Sequence, residues 1–180
     1  MLETAARTPV TAMQPVITFQ PLNPDVSPPR RQTAESAGYD VQAYLLGTPV
    51  TVIENGQEVA RTAHPASGTP HITLAPNQRA LIPLGFKARI PEGYHGEVRR
   101  RSGAAFRKGL EIPNSPGTVD SDYNGEWMVV VKNGSDVPMT IEHGERIAQV
   151  VFVPHVGVEF TSGEVTRTTE RDGGFGSTGR

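Results

Sequence analysis

Residues 71–90 read HITLAPNQRALIPLGFKARI, and this stretch decides the fold class. It contains three short apolar runs, at residues 71–74, 80–83 and 86–90, which turn-forming residues separate. Runs of four or five residues divided by turns are typical of a β-sandwich or a barrel, because each run is too short for a helix. The stretch therefore predicts three consecutive β-strands.

The same pattern of short apolar runs continues on both sides of this stretch. An Asn55-Gly56 pair between two such runs predicts a β-hairpin with a primed turn. One helix is predicted, capped by Ser102 and stopped by Gly109 at residues 102–108. The run at residues 127–132 is apolar at nearly every position, which predicts a strand buried on both faces. Further strands are predicted at residues 16–19, 39–45, 50–53, 58–61, 138–141 and 147–153, so the predicted fold class is all-β.

Length, composition and charge narrow the class of protein. The 180 residues, 36% of them hydrophobic, fit one domain with a core. The absence of cysteine excludes disulfides, zinc–thiolate sites and thiol nucleophiles. A net charge of −2 argues against nucleic acid as a partner. The sequence contains neither an apolar run of the ~20 residues that span a bilayer nor a signal peptide, so we expect a cytoplasmic protein without a membrane partner.

The chain divides by composition into three parts. Residues 1–15 are small and polar without periodicity, and we expect a disordered extension there. Residues 16–160 carry all the predicted strands and form the expected β domain. Residues 161–180 lose the apolar content and are expected to form a flexible tail, in which Phe175 stands among four glycines. An aromatic in such a tail suits a mobile flap that stacks on a flat ligand, with Arg171 reaching an anion.

Residues 114–126, NSPGTVDSDYNGE, combine turn formers, two carboxylates and an aromatic side chain. Turn signals at both ends predict a short extended segment between them. On an extended backbone Asp120 and Asp122 share one face, while Tyr123 points to the other, or toward a bound ring if the turn rotates it. These features fit either a polar hairpin tip or a binding site, and Asp120 is a candidate general base toward water.

Three consecutive arginines, Arg99, Arg100 and Arg101, precede Ser102 and Gly103. Concentrated positive charge beside a hydroxyl and free amides suits phosphate binding, and an exposed basic turn is the alternative. Asp40, Asp120 and Asp122 are candidates to hold Mg²⁺ through water, although carboxylates at strand ends are often simply solvated. Gln149 falls on the same predicted strand face as Ile147 and Val151, where its amide must find a partner.

Five segments of the sequence, taken together and in order, resemble the five motifs of the trimeric dUTP pyrophosphatases (dUTPases). They are residues 37–40 (AGYD), 101–103 (RSG), 114–125, 144–149 (GERIAQ) and 171–176 (RDGGFG). The resemblance implies a distorted jelly-roll or β-barrel-like fold and a homotrimer whose active sites lie between subunits, closed by the tail. It also implies Mg²⁺-assisted hydrolysis of dUTP to dUMP and pyrophosphate, which limits uracil incorporation into DNA and supplies dUMP for dTMP synthesis.

The resemblance also assigns a role to individual residues. Asp120 matches the carboxylate that orients the attacking water on the α-phosphorus, and Tyr123 matches the ring packed against deoxyribose. Asp40 matches the acidic residue that contacts the metal through water. The remaining matches are substrate contacts: Asn114, Gly117 and Val119 to uracil, Arg101, Ser102, Gly103 and Gln149 to the phosphates, and Arg171, Phe175 and Gly176 from the tail.

Some features depart from the family pattern or fit a rival. Arg100 and Val41 stand where the family often has proline and leucine, and neither change removes a chemical group. Residues 46–70 look longer than the family pattern, and we expect the hairpin there to be an added, solvent-exposed arm. The related dCTP deaminases carry a glutamate where Val130 stands here. A binding protein that lost turnover should lack the base or the tail, and both are present.

Overall fold

The computed structural model describes residues 14–63, 68–166 and 168. Within these residues the chain forms thirteen β-strands and one helix, which confirms the predicted all-β class with one short helix. In chain order they are β1 (Thr18–Pro21), β2 (Tyr39–Gln42), β3 (Val50–Glu54), β4 (Gln57–Arg61), β5 (His71–Leu74), β6 (Arg79–Pro83), β7 (Phe86–Arg89), β8 (Tyr94–Arg99), α1 (Ser102–Lys108), β9 (Leu110–Glu111), β10 (Gly117–Val119), β11 (Met128–Asn133), β12 (Met139–Glu142) and β13 (Arg146–Pro154).

The described strands form two larger and two smaller sheets. The larger sheets have the orders β10-β8-β13-β2 and β4-β3-β6-β11-β9, and the smaller pairs are β1-β7 and β12-β5. Every pairing is antiparallel, and many join strands that are far apart in the sequence. Side chains from all four sheets meet in one hydrophobic cluster, which includes Val98, Ile82, Ile141 and Phe86. The core therefore lies between the sheets and fixes their mutual positions.

Asn133 is the buried polar residue of this core. Its Nδ2 donates to the carbonyl oxygens of Leu74 (3.0 Å) and Val137 (2.8 Å), and its Oδ1 accepts from the amide and the hydroxyl of Ser135. The side chain is fully buried, so these four hydrogen bonds replace the water that it lost. They connect the end of β11 to β5 and to the turn before β12.

The helix and the first hairpin follow their local sequence signals. Gly109 ends α1 in the left-handed conformation, with φ 66°, as predicted. Asn55 and Gly56 both have positive φ, which confirms the primed turn between β3 and β4. The predicted cap is wrong in one detail, because Ser102 is the first helical residue and Arg101 is the N-cap, without a side-chain capping bond.

The β3–β4 hairpin is only partly exposed to solvent, whereas the sequence predicted an exposed arm. Val50 and Val52 of β3 are fully buried, and β3 pairs with β6 inside the five-stranded sheet. Only β4 and the turn lie toward solvent, where an ion pair joins Glu54 and Arg61. The expectation of a solvent-exposed arm therefore fails for β3, because its apolar residues complete the core.

Two other expectations about strands need correction. β11 is not buried on both faces, since Met128 is 41% exposed and Val130 is half-buried in the single chain. The sequence did not indicate the short strands β9 and β10, which carry only two and three residues. Strands this short are set by pairing with a neighbour rather than by local pattern. No helix in the described parts of the chain is long and apolar enough to cross a membrane.

Candidate active site

The Asp40 carboxylate accepts bonds from two arginines at the end of the four-stranded sheet. Nε of Arg101 donates to Oδ1 at 2.8 Å, and Nη1 of Arg146 donates to Oδ2 at 3.1 Å. Nη1 of Arg101 also donates to the backbone carbonyl of Arg146 at 3.0 Å. The Asp40 side chain is only 9% exposed, so one nearly buried negative charge stands between two positive charges. The cluster as a whole is positive and suits an anion.

A β-bulge places Arg146 in this cluster. Arg146 pairs with Gln42 and Ala148 pairs with Val41, so β13 has one extra residue, Ile147, between the two pairs. Ile147 and Ala148 are consecutive and both fully buried, which simple strand alternation forbids. The bulge therefore turns Arg146 outward beside Asp40, and it also corrects the expectation that Gln149 shares a face with Ile147.

Gln149 lies next to Asp40 on the neighbouring strand and finds the partner that the sequence demanded. Its Nε2 donates to the backbone carbonyl of Arg100 at 2.9 Å. Gly38 lies directly against this amide, because a Cβ atom added to Gly38 would overlap Oε1 and meet Cδ at 2.9 Å. The bond to Arg100 connects Gln149 to the turn that leads into α1.

These residues border a cleft of about 260 Å³, which we call the Asp40 cleft. Four of the predicted phosphate contacts, Arg101, Ser102, Gly103 and Gln149, line it together with Asp40. Gln32 and Ser36 also line the cleft, and the sequence analysis did not identify them. Their position in the loop just before Gly38 and Asp40 could have indicated that they lie near the cleft. The remaining lining residue is Gly38.

The three consecutive arginines do not act as one basic patch. Nε of Arg99 donates to Oε2 of Glu97 at 2.9 Å, and this bond lowers the pKa of the Glu97 carboxyl. Arg100 contributes its backbone carbonyl to Gln149. Only Arg101 among the three lines the Asp40 cleft. The prediction of concentrated charge is therefore wrong for Arg99, whose positive charge is already paired.

The 114–126 segment lies at the other edge of the four-stranded sheet. Gly117 is buried, and a Cβ atom there would stand 2.8 Å from Nδ2 of Asn114, so the Asn114 side chain folds back over β10. Val119 ends β10 and is half-buried. Asn114 itself is exposed, which leaves its amide accessible in the single chain.

The backbone turns at Asp120 and does not stay extended as predicted. The amide of Tyr123 donates to the carbonyl oxygen of Asp120 at 3.2 Å, which closes a turn over these four residues. Asp120 and Asp122 therefore do not share a strand face. The Tyr123 hydroxyl donates to the carbonyl of Glu126 at 2.9 Å, and its ring is 46% exposed. In the described residues Asp122 accepts a bond only through its backbone carbonyl, from Asn124.

The two groups of residues are far apart within one chain. Asp40 pairs with Gln149, Gln149 pairs with Arg99, and β10 lies beyond β8 at the opposite edge of the sheet. Three strand spacings amount to about 14 Å, and Val119 pairs with Gly96, about 10 Å further along β8. Asp120 therefore cannot act on a ligand atom held beside Arg101 of the same chain.

Compared with known protein families, the chain matches a family model described as dUTPase over residues 66–179. The chain belongs to the dUTPase family. The deoxyuridine 5'-triphosphate nucleotidohydrolase of Roseobacter denitrificans is 49% identical over 152 residues, which are 84% of this chain and 86% of that relative. The enzyme of the same name from Rhizobium leguminosarum bv. trifolii is 51% identical over 109 residues, 60% of this chain and 70% of the relative.

Solved dUTPase structures share the fold. The dUTPase of Staphylococcus bacteriophage 80alpha, solved with dUPNHPP, superposes with a TM-score of 0.70 at 25% identity and covers 91% of this chain and 98% of its own. A dUTPase of phage phi11 of S. aureus, described with a structural Mg(II) ion, gives a TM-score of 0.63 at 22% identity, over 85% of this chain and 99% of its own. The jelly-roll-like fold expected from the motif resemblance is therefore confirmed.

Three residues of the expected dUTPase site belong to the predicted tail, namely Arg171, Phe175 and Gly176, and they lie outside the described residues. Within the described residues, no group of three or more His, Cys, Asp or Glu side chains forms a metal cage.

Proposed function

We propose that this member of the dUTPase family hydrolyses dUTP to dUMP and pyrophosphate in sites shared between subunits of a homotrimer. One observation carries the proposal: the Asp40 cleft and the 114–126 segment are both open to solvent, at opposite edges of one sheet. Neither half is a complete site, and a symmetric oligomer brings the two edges of different copies together. Family membership supplies the substrate, because the relatives are named for dUTP hydrolysis.

The Asp40 cleft is the proposed binding site for the triphosphate. Arg101 is already oriented by its bonds to Asp40 and to the Arg146 carbonyl, so it needs little reorganisation to meet a phosphate. Ser102 offers a hydroxyl, Gly103 allows close approach of the backbone, and Gln149 offers an amide. Positioning and charge compensation are the main requirements of this chemistry, and no nucleophilic side chain is needed.

The 114–126 segment of a second copy is the proposed reader of base and sugar. Asn114, with backbone groups at Gly117 and Val119, presents donors and acceptors to uracil, and a mispaired buried group costs roughly 1–3 kcal/mol, which rejects cytosine. The Tyr123 ring packs against deoxyribose and leaves no room for a 2′-hydroxyl. Its bond to the Glu126 carbonyl fixes the ring position in advance.

Asp120 is the proposed general base, which orients a water molecule for in-line attack on the α-phosphorus. It is exposed in the single chain, so a substrate that spans two copies can reach it. Its carboxylate can orient the attacking water and accept a proton from it. Pyrophosphate leaves from the Asp40 cleft, where positive charge compensates its own. Closure by Arg171, Phe175 and Gly176 would exclude bulk water from this reaction.

The donor set of the Asp40 cleft fits Mg²⁺ only through water. Both Asp40 oxygens already accept guanidinium bonds, and direct ligation would compete with one of them. Each oxygen keeps a second lone pair, so Asp40 can orient a metal-bound water without losing Arg101 or Arg146. Mg²⁺ keeps several waters and binds phosphate oxygens, and when bound it would neutralise charge on the triphosphate.

The test is a release assay over dUTP, dTTP, dCTP and UTP, with and without Mg²⁺, that follows pyrophosphate and ammonia in parallel. We expect pyrophosphate from dUTP alone and a rate that depends on Mg²⁺. Ammonia from dCTP would indicate a deaminase instead. Binding of dUTP without release of either product would indicate a nucleotide-binding protein and contradict the proposal.

A further inference from the structure

We infer, resting on the function proposed above, that Arg146 is a positioning residue that orients Arg101 through Asp40 and does not itself bind the phosphates. Both the guanidinium and the backbone carbonyl of Arg146 form hydrogen bonds in this cluster. Its guanidinium holds Oδ2 of Asp40, and its backbone carbonyl accepts from Nη1 of Arg101. Asp40, Arg101 and Arg146 thus form a closed ring of three hydrogen bonds, in which each residue restrains the other two.

The position of Arg146 supports an indirect role. Among the residues that the structure describes, those lining the Asp40 cleft include Arg101 and Gln149 but not Arg146. Arg146 lines two neighbouring clefts instead, and it shares one of them with Arg101. From there its guanidinium restrains the Asp40 carboxylate.

The bulge in β13 shows how the fold provides this restraint. Regular alternation would put Arg146 on the same buried face as Ala148, where a charge is costly. The extra residue Ile147 turns Arg146 to the outer face, beside Asp40. Bulges lose ladder pairing and commonly re-aim a side chain next to a functional site. In return for the lost pairing, the bulge gives the Asp40 carboxylate, which is only 9% exposed, a second guanidinium partner.

The charges explain why one arginine would not suffice. With Arg101 alone, Asp40 would neutralise the positive charge that the triphosphate needs. Arg146 compensates Asp40, so that Arg101 keeps its attraction for phosphate while Asp40 still holds its geometry. Arg101 presents a planar group with fixed donor directions, and its value to the substrate depends on that orientation.

The test is a double-mutant cycle between Arg146→Gln and Asp40→Asn, read as kcat/KM for dUTP and as Kd for dUpNHpp. If Arg146 acts through Asp40, Arg146→Gln lowers kcat/KM roughly tenfold to a hundredfold in the wild-type background and less than about threefold in the Asp40→Asn background. Arg107→Gln is the matched control, since it removes an exposed positive charge from a cleft that Arg146 also lines, and Arg107 has no bond to Asp40. Its effect should be the same in both backgrounds.

Arg146→Lys tests whether the Gln variant loses activity because the bond to Asp40 is lost or because the bulge no longer folds. It keeps a positive donor within reach of Oδ2, and we expect it to recover at least half of the lost kcat/KM on a logarithmic scale. Equal losses for the Lys and Gln variants, or an Arg146→Gln effect that is undiminished in the Asp40→Asn background, would overturn the inference. Wild-type turnover of dUTP reports on the proposed function separately, because it does not depend on any of these variants.

Discussion

Gly38, just before β2, lies directly against the Gln149 side chain of β13, and a side chain at position 38 would have to displace it. A Cβ atom on Gly38 would overlap the Gln149 amide, which donates to the Arg100 carbonyl at 2.9 Å. Gly38 has no unusual backbone conformation, so the requirement for glycine is one of space alone. The absence of a side chain at one residue thus fixes the position of a candidate phosphate contact.

Gly38→Ala is expected to displace Gln149 and lower kcat/KM for dUTP roughly tenfold to a hundredfold, as the loss of one hydrogen bond to a charged phosphate would. Steady-state kinetics with the four nucleotides would measure it. Gly157→Ala is the matched control, because a Cβ atom there meets nothing within 4 Å. A Gly38→Ala enzyme with wild-type kinetics would show that Gln149 has no contact with the substrate.

Asp120→Asn is expected to lower kcat by about 10²–10⁴, while the Kd for dUpNHpp changes little, because the carboxylate acts on water and not on the nucleotide. Pre-steady-state pyrophosphate release and calorimetric binding would measure the two quantities. Asp122→Asn is the control two residues away, and its carboxylate makes no hydrogen bond in the described structure. Similar losses in both variants would indicate that the turn, rather than a base, was damaged.

Tyr123→Phe and Tyr123→Ala separate the two features of this side chain. The Phe variant loses only the hydroxyl bond to the Glu126 carbonyl, and we expect a change of a few-fold in kcat/KM. The Ala variant loses the ring, and we expect the preference for dUTP over UTP to fall by roughly tenfold or more. Competition between the two nucleotides measures this preference directly. An unchanged preference in the Ala variant would remove the role of Tyr123 in sugar selection.

Mixing inactive variants tests whether sites are shared between copies. If Arg101 and Asp120 of one site come from different chains, a randomly assembled 1:1 mixture of Arg101→Gln and Asp120→Asn subunits should recover about a quarter of wild-type activity. A mixture of wild-type chains with the Arg101→Gln/Asp120→Asn double variant should also give about a quarter, whereas independent chains would give about half. No recovery in the first mixture would contradict a composite site. Light scattering after chromatography would verify that both variants assemble alike.

Asn133→Ala is expected to destabilise the fold without touching the site. The variant leaves the carbonyl of Leu74 and the amide of Ser135 without their partner, which costs about 3 kcal/mol. The Ser135 hydroxyl and the Val137 carbonyl keep the bond between them. For a chain of this size this cost corresponds to a fall in Tm of roughly 6–12 °C. Ser135→Ala removes a smaller part of the network and should cost about 1 kcal/mol. A Tm fall no larger for Asn133→Ala than for Ser135→Ala would argue against the network.

The sequence predicted those parts of the fold that local signals determine. Gly109 ends the helix and Asn55-Gly56 forms the hairpin turn because each conformation depends on the residues that adopt it. The Arg146 bulge and the bond from Asn133 to the Leu74 carbonyl could not be predicted, since both depend on strands distant in the sequence. The failed prediction at Asp120 has a local cause, because a turn bond from the Tyr123 amide replaces the expected extension.

The motif resemblance supplied the candidate site residues, and the strand order shows how they are arranged within one chain. The resemblance to five motifs named Asp40, Arg101 and Gln149, and the structure brings these three together in one cleft. It also named Asn114 and Asp120, which the strand order places at the far edge of the same sheet. Strand order arises from long-range pairing, and a linear motif carries no information about it.

The β3–β4 hairpin has a practical consequence. Val50 and Val52 fix its first strand in the core, but the Asn55-Gly56 turn projects into solvent. A Cβ atom added to Gly56 would have no other atom within 4 Å. Chain length can therefore change at this turn without disturbing the packing beneath it. A fluorescent label or an affinity tag inserted between Asn55 and Gly56 would be displayed on the surface, away from both halves of the site.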